Sequence, residues 1–408
     1  MSTIQFDFYT TFVSVVIVLI IGQFLVKRVA FFRNYSIPEP VVGGIFIAIL
    51  LFFGTFFFDI KFKFDTGFRE PLMLAFFSTI GLSANFGLFK QGGSKLVIFL
   101  ICAVGILILQ DVLGVALALI MGVPPVMGLL AGSVTMTGGH GTGLAWASVF
   151  EKAPFLFTSA KEVAVAAATF GLIAGSIVGG PVAKYLIKRH NLKTPGLSSD
   201  LPKDDHFIDF EEPKKQKLIT TESFIKSLAL VAICLFLGTF LNAEFKKYVP
   251  GWTLPTFVWC LVVGVILRNI FDRTKIHAVF DREVSVIGNV ALSLFVAAAL
   301  MTINFVDLVK LALPMLVILS LQVVLIVLFA MFVTFRLCGK NYDASVLAAG
   351  HCGFGLGATP NAMVNMQAVT SKYGNSHIAF VIVPLTGAFF IDIANSIVLN
   401  FFVSLPIF

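Results

Sequence analysis

Asp111 and Asp392 each lie deep in an apolar run, LILQDVLGVAL and TGAFFIDIANS. A carboxylate at membrane depth is costly, and it marks a functional candidate by default. Asn395 and Ser396 follow Asp392 by three and four residues, so all three share a helix face. That face is expected to hold a small cation or an ammonium group. Asp111 stands beside Gln110, and its sequence leaves a functional and a structural role equally open. Asn361 and Asn365 are also four apart, with both amides on one face. Their carbonyl oxygens suit sodium, a hard cation with the oxygen preference of calcium and magnesium. The same pair would serve equally as a hydrogen-bonded contact between helices.

These side chains stand near two glycine-rich stretches. Four glycines fall within Gly138–Gly143 (GGHGTG), and the second stretch is AGHCGFGLGATP, Ala349–Pro360. Glycine is a poor helix former, so each stretch is expected to interrupt a helix. Unwound backbone survives in a bilayer only when buried in protein or lining a wet cavity. A chain that enters as a half-helix and returns as another offers carbonyls and N–H groups at one tip. Such a tip can hold a cation and an anion side by side. The candidate ligands are Gly138 for a cation and the backbone of Gly139, Gly141 and Gly357 for an anion. Hydroxyls of Ser133, Thr135, Thr137, Thr142 and Thr359 stand on either side. A plain glycine-rich packing face is the competing reading. Thr359-Pro360 reads as N-cap and first residue of a new helix. His140 and His351 occupy the two stretches, as proton carriers or as donors to backbone. Lys161 and Glu162 read as an interfacial pair.

The elements that position these residues follow from composition. Of 408 residues, 58% are hydrophobic and 12% charged, and the mean hydropathy is +0.96. A soluble domain carries about 25% charged residues. Many apolar runs reach the length of about 20 residues that crosses a bilayer. The fold class is therefore an all-α polytopic membrane protein, with about ten transmembrane helices plus two re-entrant hairpins in two inverted-topology repeats. A β-barrel would show short alternating segments instead. The net charge of +7 comes from basic residues flanking apolar runs, so no nucleic acid is expected as a partner. The five cysteines show no CxxC spacing and suggest neither a disulfide framework nor a zinc site. Absence of HExxH, GxSxG and Walker A patterns speaks against a metalloprotease, a serine hydrolase or an ATPase. The expectation is no enzyme and no organic cofactor.

The expected spans are Tyr9–Val26, Pro40–Phe58, Pro71–Phe89, Leu96–Met121 and Ala160–Leu186, then Ser223–Leu241, Leu254–Ile270, Val284–Ile303, Leu311–Leu337 and His377–Leu405. The hairpins cover about 125–150 and about 344–369. The first repeat is 1–187, a hydrophilic linker is 188–222, and the second repeat is 223–408. With the linker in the cytoplasm and both termini outside, most of the 29 Lys and Arg residues fall on the inner side. The halves echo one another in Pro38-Glu39-Pro40-Val41-Val42 against Pro255-Thr256-Phe257-Val258, and in Gln110 against Gln322. Five spans per half invert the second half, so the hairpins enter from opposite faces. Interrupted segments at matching places in inverted halves point to a transporter binding site.

At TMTGGHGTGLAWASVFEK, GHCGFGLGATPNAMVNMQAVTSKYG and PEPVVGG the chain resembles the bacterial sodium/glutamate symporters, over essentially its whole length. The resemblance implies uptake of L-glutamate coupled to Na+ across the bacterial inner membrane by a homodimer. It also implies a mobile domain carrying both hairpins, which the related citrate/sodium symporters move as an elevator. The expected glutamate ligands are Ser133, Thr135, Thr137, Gly139, His140, Gly141, Thr142, Gly357, Thr359, Asn361 and Asp392. The expected sodium ligands are Gly138, Asn361, Asn365, Asp392 and Asn395. Spans 3–5 and 8–10 are expected to move, and spans 1, 2, 6 and 7 to form a dimeric scaffold packed through Gly43-Gly44. The alternative is a sodium- or proton-coupled symporter for another dicarboxylate or amino acid. A channel or an intramembrane enzyme are the rivals from other classes.

Overall fold

The computed structural model describes residues 2–34, 37–86, 89–195, 218–248, 255–302 and 305–408. Most of the expected linker, 196–217, lies outside the described residues. In chain order the helices are α1 (Phe8–Arg28), α2 (Ala30–Asn34), α3 (Glu39–Phe58), α4 (Arg69–Ser83), α5 (Phe89–Ile120), α6 (Pro125–Leu129), α7 (Gly139–Phe150) and α8 (Ala160–Arg189). Then come α9 (Thr221–Tyr248), α10 (Thr256–Thr274), α11 (Asp281–Leu300), α12 (Phe305–Phe329) and α13 (Phe335–Leu337). The last four are α14 (Tyr342–Phe354), α15 (Thr359–Tyr373), α16 (His377–Leu385) and α17 (Ile391–Val403). Helices prevail because apolar runs in lipid must satisfy their backbone within the segment.

Among the described residues, seven helices are long and apolar enough to cross a membrane. They lie in α1, α3, α5, α8, α9 and α11, and in the stretch Leu311–Leu337 across α12 and α13. The other three expected spans also coincide with helices, each departing from a plain span. Helix α4 has 15 residues and stops at Ser83. Helix α10 carries Arg268, Asp272 and Arg273 within its last two turns. A π-helical turn, Thr386–Phe390, divides α16 from α17.

Two strands depart from the all-helical expectation. β1 (Ser2–Phe6) pairs in parallel with β2 (Ile60–Phe64), and the rings of Phe6 and Phe64 stack 4.8 Å apart. Alternation in Ile60-Lys61-Phe62-Lys63-Phe64 carried this signal, but one short strand has no visible partner in sequence. Asp7 joins β1 to α1 as an N-cap, accepting hydrogen bonds from the Thr10 N–H (2.9 Å) and hydroxyl (2.6 Å). Those donors hold its carboxyl below the usual range.

The helices sort into two groups. In the first, α4 packs on α10, α11 and α9, while α3 packs on α1 and α11. In the second, α8 packs on α14, α7, α15 and α12, and α5 packs on α6, α12 and α17. Leu96, Phe99, Phe335, Leu347, Met366 and Ile391 belong to one apolar core inside the second group. Here the expected partition is corrected: spans 3 and 8, now α4 and α11, sit with the first group. The cause is small residues that let backbones touch. A Cβ on Gly81 would lie 2.1 Å from Leu261 O, and one on Gly288 2.3 Å from Thr79 Oγ1. Gly43 and Gly44 are likewise used inside the chain, against Val18 O and Leu300 Cβ.

Two helix–break–helix segments lie where hairpins are expected. In the first, α6 runs into a π-helical turn, Leu130–Val134, with non-helical backbone at Gly132 (φ −96°, ψ −137°). A turn at Thr137 and Gly138 follows, and then α7. The break is narrower than expected, since α7 takes in Gly139–Gly143 at the cost of one left-handed φ, +65° at Gly139. In the second, α14 and α15 flank Gly355–Ala358. The N-cap of α15 is Ala358 in extended conformation, one residue before the expected Thr359.

Close backbone contact also ties α5 to α6, where a Cβ on Gly114 would lie 2.1 Å from Gly128 O. Overpacking of this kind costs about 1–3 kcal/mol. Gly114→Ala should therefore lower the melting temperature of the detergent-solubilised protein. Gly180→Ala, where a Cβ meets nothing within 4 Å, should hold or raise it. Equal melting temperatures for the two variants would contradict this packing.

Candidate functional site

A cavity of about 220 Å³ lies where the two breaks meet. The first segment contributes Thr137, Gly138, Gly139, His140, Gly141 and Thr142, and the second Gly357, Ala358 and Thr359. Asp392 and Ile391 add the start of α17, Gly387 adds the π-helical turn before it, and Leu172 adds α8. The facing wall comes from the first group and is apolar: Pro38, Pro40, Val41, Phe76, Leu292 and Val296. The breaks approach so closely that a Cβ on Gly139 would lie 3.4 Å from Gly357 O.

Two helix N-termini open on this cavity. Gly138 precedes α7 and Ala358 precedes α15, and neither makes a side-chain cap. The positive end of each helix dipole therefore faces the space, with free N–H groups at the start of α7 and the Thr359 N–H at the start of α15, where Pro360 has none and the Asn361 N–H bonds Ala358 O. This arrangement binds anions. Asp392 adds one carboxylate to the same lining and so favours a cationic group there. Hydroxyls come from Thr137, Thr142 and Thr359. His140 lines the cavity with its Nε2 3.1 Å from Thr169 Oγ1 on α8, a contact to a hydroxyl and not to backbone.

One side chain holds the two breaks in register. Gln110, fully buried on α5, donates from Nε2 to Gly355 O (2.7 Å) in the second break. Its Oε1 accepts from Thr137 Oγ1 (2.9 Å) in the first. Its backbone oxygen accepts from Gln322 Nε2 (2.7 Å) on α12. Gln110 and Gln322 are matching residues of the two halves, and neither is among the ligands expected from sequence. A primary amide in mid-span was the available signal, because both its donor and its acceptor require partners there.

The structure brings together Thr137, Gly138, Gly139, His140, Gly141, Thr142, Gly357, Thr359 and Asp392. It sends the remaining expected ligands elsewhere. Thr135 donates to Leu130 O (2.6 Å) within its own turn. Asn361 and Asn365 donate from Nδ2 to Leu172 O (2.8 Å) and Gly175 O (2.7 Å), and so tie α15 to α8. Asn361 Oδ1 is buried without a hydrogen-bond partner. Ser133 and Asn395 meet at Asp111 and not at Asp392. The expected sodium set is thus divided among three places. His351 is caged by Phe99, Phe329 and Phe354, with Nδ1 2.7 Å from Thr334 Oγ1, and it does not line the cavity. Lys161 pairs with Glu151.

The chain is similar to known proteins over nearly its whole length. The family model described as sodium/glutamate symporter matches residues 4–375. The sodium/glutamate symporter of Escherichia coli (strain K12) is 48% identical over 402 residues, covering 98% of each chain. That of Haemophilus influenzae is 46% identical over 399 residues, covering 97% of this chain and 96% of the other.

If Gln110 holds both breaks, Gln110→Leu leaves the Gly355 carbonyl and the Thr137 hydroxyl unpaired, at about 1–3 kcal/mol for each buried group. Amide hydrogen exchange should then rise together at Thr137–Gly139 and at Gly355–Gly357. A rise at only one break would break the proposed link.

Proposed function

This chain belongs to the sodium/glutamate symporter family, and from that premise we infer that the cavity between the two breaks is where L-glutamate binds. The protein is a multi-pass membrane protein that takes up glutamate with sodium. Glutamate carries two carboxylates and one ammonium. Two uncapped helix N-termini and one carboxylate around a single cavity are the matching set, and this observation carries the reading. Carboxylate recognition then needs no arginine, because backbone N–H groups and the Thr142 and Thr359 hydroxyls supply the donors. Asp392 is the partner of the ammonium in this reading. Na+ is the coupling ion, and no organic cofactor takes part.

The two helix–break–helix segments act in this reading as re-entrant hairpins, the first entering from outside and the second from the cytoplasm. They belong to inverted repeats, 1–187 and 223–408, as the paired breaks and the paired glutamines support. Such a protein sits in the bacterial inner membrane with both termini in the periplasm, in keeping with the side on which Lys and Arg collect. The second group of helices, with both hairpins, would carry glutamate across in an elevator movement. The first group, now including α4 and α11, would stay fixed as the dimeric part. The wall it presents to glutamate is apolar, and a wall without polar contacts to break favours sliding.

The reading is tested by uptake of labelled glutamate into proteoliposomes. Uptake should follow an inward sodium gradient and fail when potassium replaces sodium. Asp392→Asn should raise KM for glutamate by about 10- to 100-fold, the scale of about 1.4–2.8 kcal/mol. Glutarate, which lacks the ammonium, should compete equally well with wild type and variant. Loss of glutarate competition in the variant would remove Asp392 from the ammonium site.

A further inference from the structure

The second intramembrane acid has its own polar cluster, outside the glutamate cavity. Asp111, Ser133 and Asn395 are all buried, at 0%, 0% and 1% exposure. They come from three elements: α5, the π-helical turn of the first break, and α17. Ser133 N–H donates to Asp111 Oδ1 (2.9 Å). Ser133 Oγ lies 2.9 Å from Asp111 Oδ2 and 2.7 Å from Asn395 Oδ1. Asn395 Nδ2 donates to Ser133 O (3.2 Å). Among the described residues, no lysine, arginine or histidine forms an ion pair with Asp111.

With Asp111 ionised, the hydrogen count does not close. A serine hydroxyl has one proton, while Ser133 Oγ has two acceptor oxygens at hydrogen-bond distance. One oxygen–oxygen contact is therefore left without a hydrogen. Turning the Asn395 amide over does not help, because its oxygen would then face Ser133 O at 3.2 Å. In either orientation the cluster is short of one positive charge, and the Asp111 carboxylate is buried without a cation to balance it. Every ligand atom offered is a hard oxygen: carboxylate, hydroxyl and amide, beside the non-helical backbone at Gly132.

We infer that Asp111, Ser133 and Asn395 bind the coupling sodium ion at a site separate from the glutamate cavity. The inference rests on the cavity reading above and deepens it by dividing the two acids between two ligands: Asp111 for sodium, Asp392 for glutamate. The geometry also explains the coupling. Asn395 follows Asp392 by three residues on α17, so the two side chains share a face. Ser133 precedes Thr137 by four, and Asp111 is the neighbour of Gln110. A cation drawing Asp111, Ser133 and Asn395 together fixes α17 and the first break at once, and both line the cavity. Sodium thus assembles the glutamate site before glutamate enters it.

The test uses the full-length protein in detergent, with sodium chloride as the probe, choline chloride as the balance and no glutamate. Melting temperature should rise saturably with sodium, because an ion that binds the folded state stabilises it. Asp111→Asn and, as a milder change, Ser133→Ala should each raise the half-saturating sodium concentration at least tenfold. Asp392→Asn should retain the sodium titration. Curves for Asp111→Asn and Ser133→Ala that overlay the wild type would overturn the assignment. So would a wild type that responds to pH and not to sodium, which would make the missing charge a proton on Asp111. Failure of the cavity reading would show separately, as unchanged glutamate KM in Asp392→Asn proteoliposomes.

Discussion

Gln110 is the interaction on which the rest of the site depends. Two interrupted helices in a membrane leave backbone groups that lipid cannot satisfy. One buried amide answers both breaks, donating to Gly355 O and accepting from the Thr137 hydroxyl. Its own backbone oxygen is held by Gln322 from α12. Four segments distant in sequence are thereby brought into one register. The cavity exists because this register leaves two helix N-termini facing one space, with no side-chain cap to fill them.

Packing within each group differs in kind from packing between the groups at the cavity. Within the first group, Gly81 lets helices touch backbone to backbone, and Gly288 lets the Thr79 side chain press against the α11 backbone. Within the second, Gly171 stands against Leu356 O and Gly179 against the Asn365 amide, so α8 is locked to the second break. Added methyl groups at any of these positions would collide with atoms that have little freedom to move. The wall between the groups at the cavity has another character: prolines, valines, Phe76 and Leu292 against the first break. Apolar contacts there bury area without fixing a direction.

The two membrane-depth acids have different surroundings, and these suit different ligands. Asp392 borders open space between helix N-termini. Asp111 is fully buried against the Ser133 N–H and hydroxyl, and that hydroxyl in turn meets the Asn395 amide. A cavity with mixed donors suits an organic zwitterion, whereas a buried carboxylate with hydroxyl and amide oxygens nearby suits a bare cation. The three-residue step from Asp392 to Asn395 joins these environments through one turn of α17.

By itself the sequence determined the class of fold, the approximate helix positions and the two breaks. Those features follow from local properties: apolar runs of membrane length, glycine clusters, and polar residues where lipid forbids them. The cavity residues from Thr137 to Thr142 were legible for the same reason, as was Asp392. Tertiary structure alone decided the partners. Nothing local told that Ser133 and Asn395 would turn to Asp111, since they lie 262 residues apart. Asn361 and Asn365 had the spacing for a shared face, but whether that face met an ion or the α8 carbonyls depended on how closely Gly175 and Gly179 let α8 approach. The grouping of α4 and α11 with α10 was likewise hidden, because a glycine in sequence does not name the backbone it will touch. Periodicity records which face of a helix is buried, and only the assembled fold supplies what it is buried against.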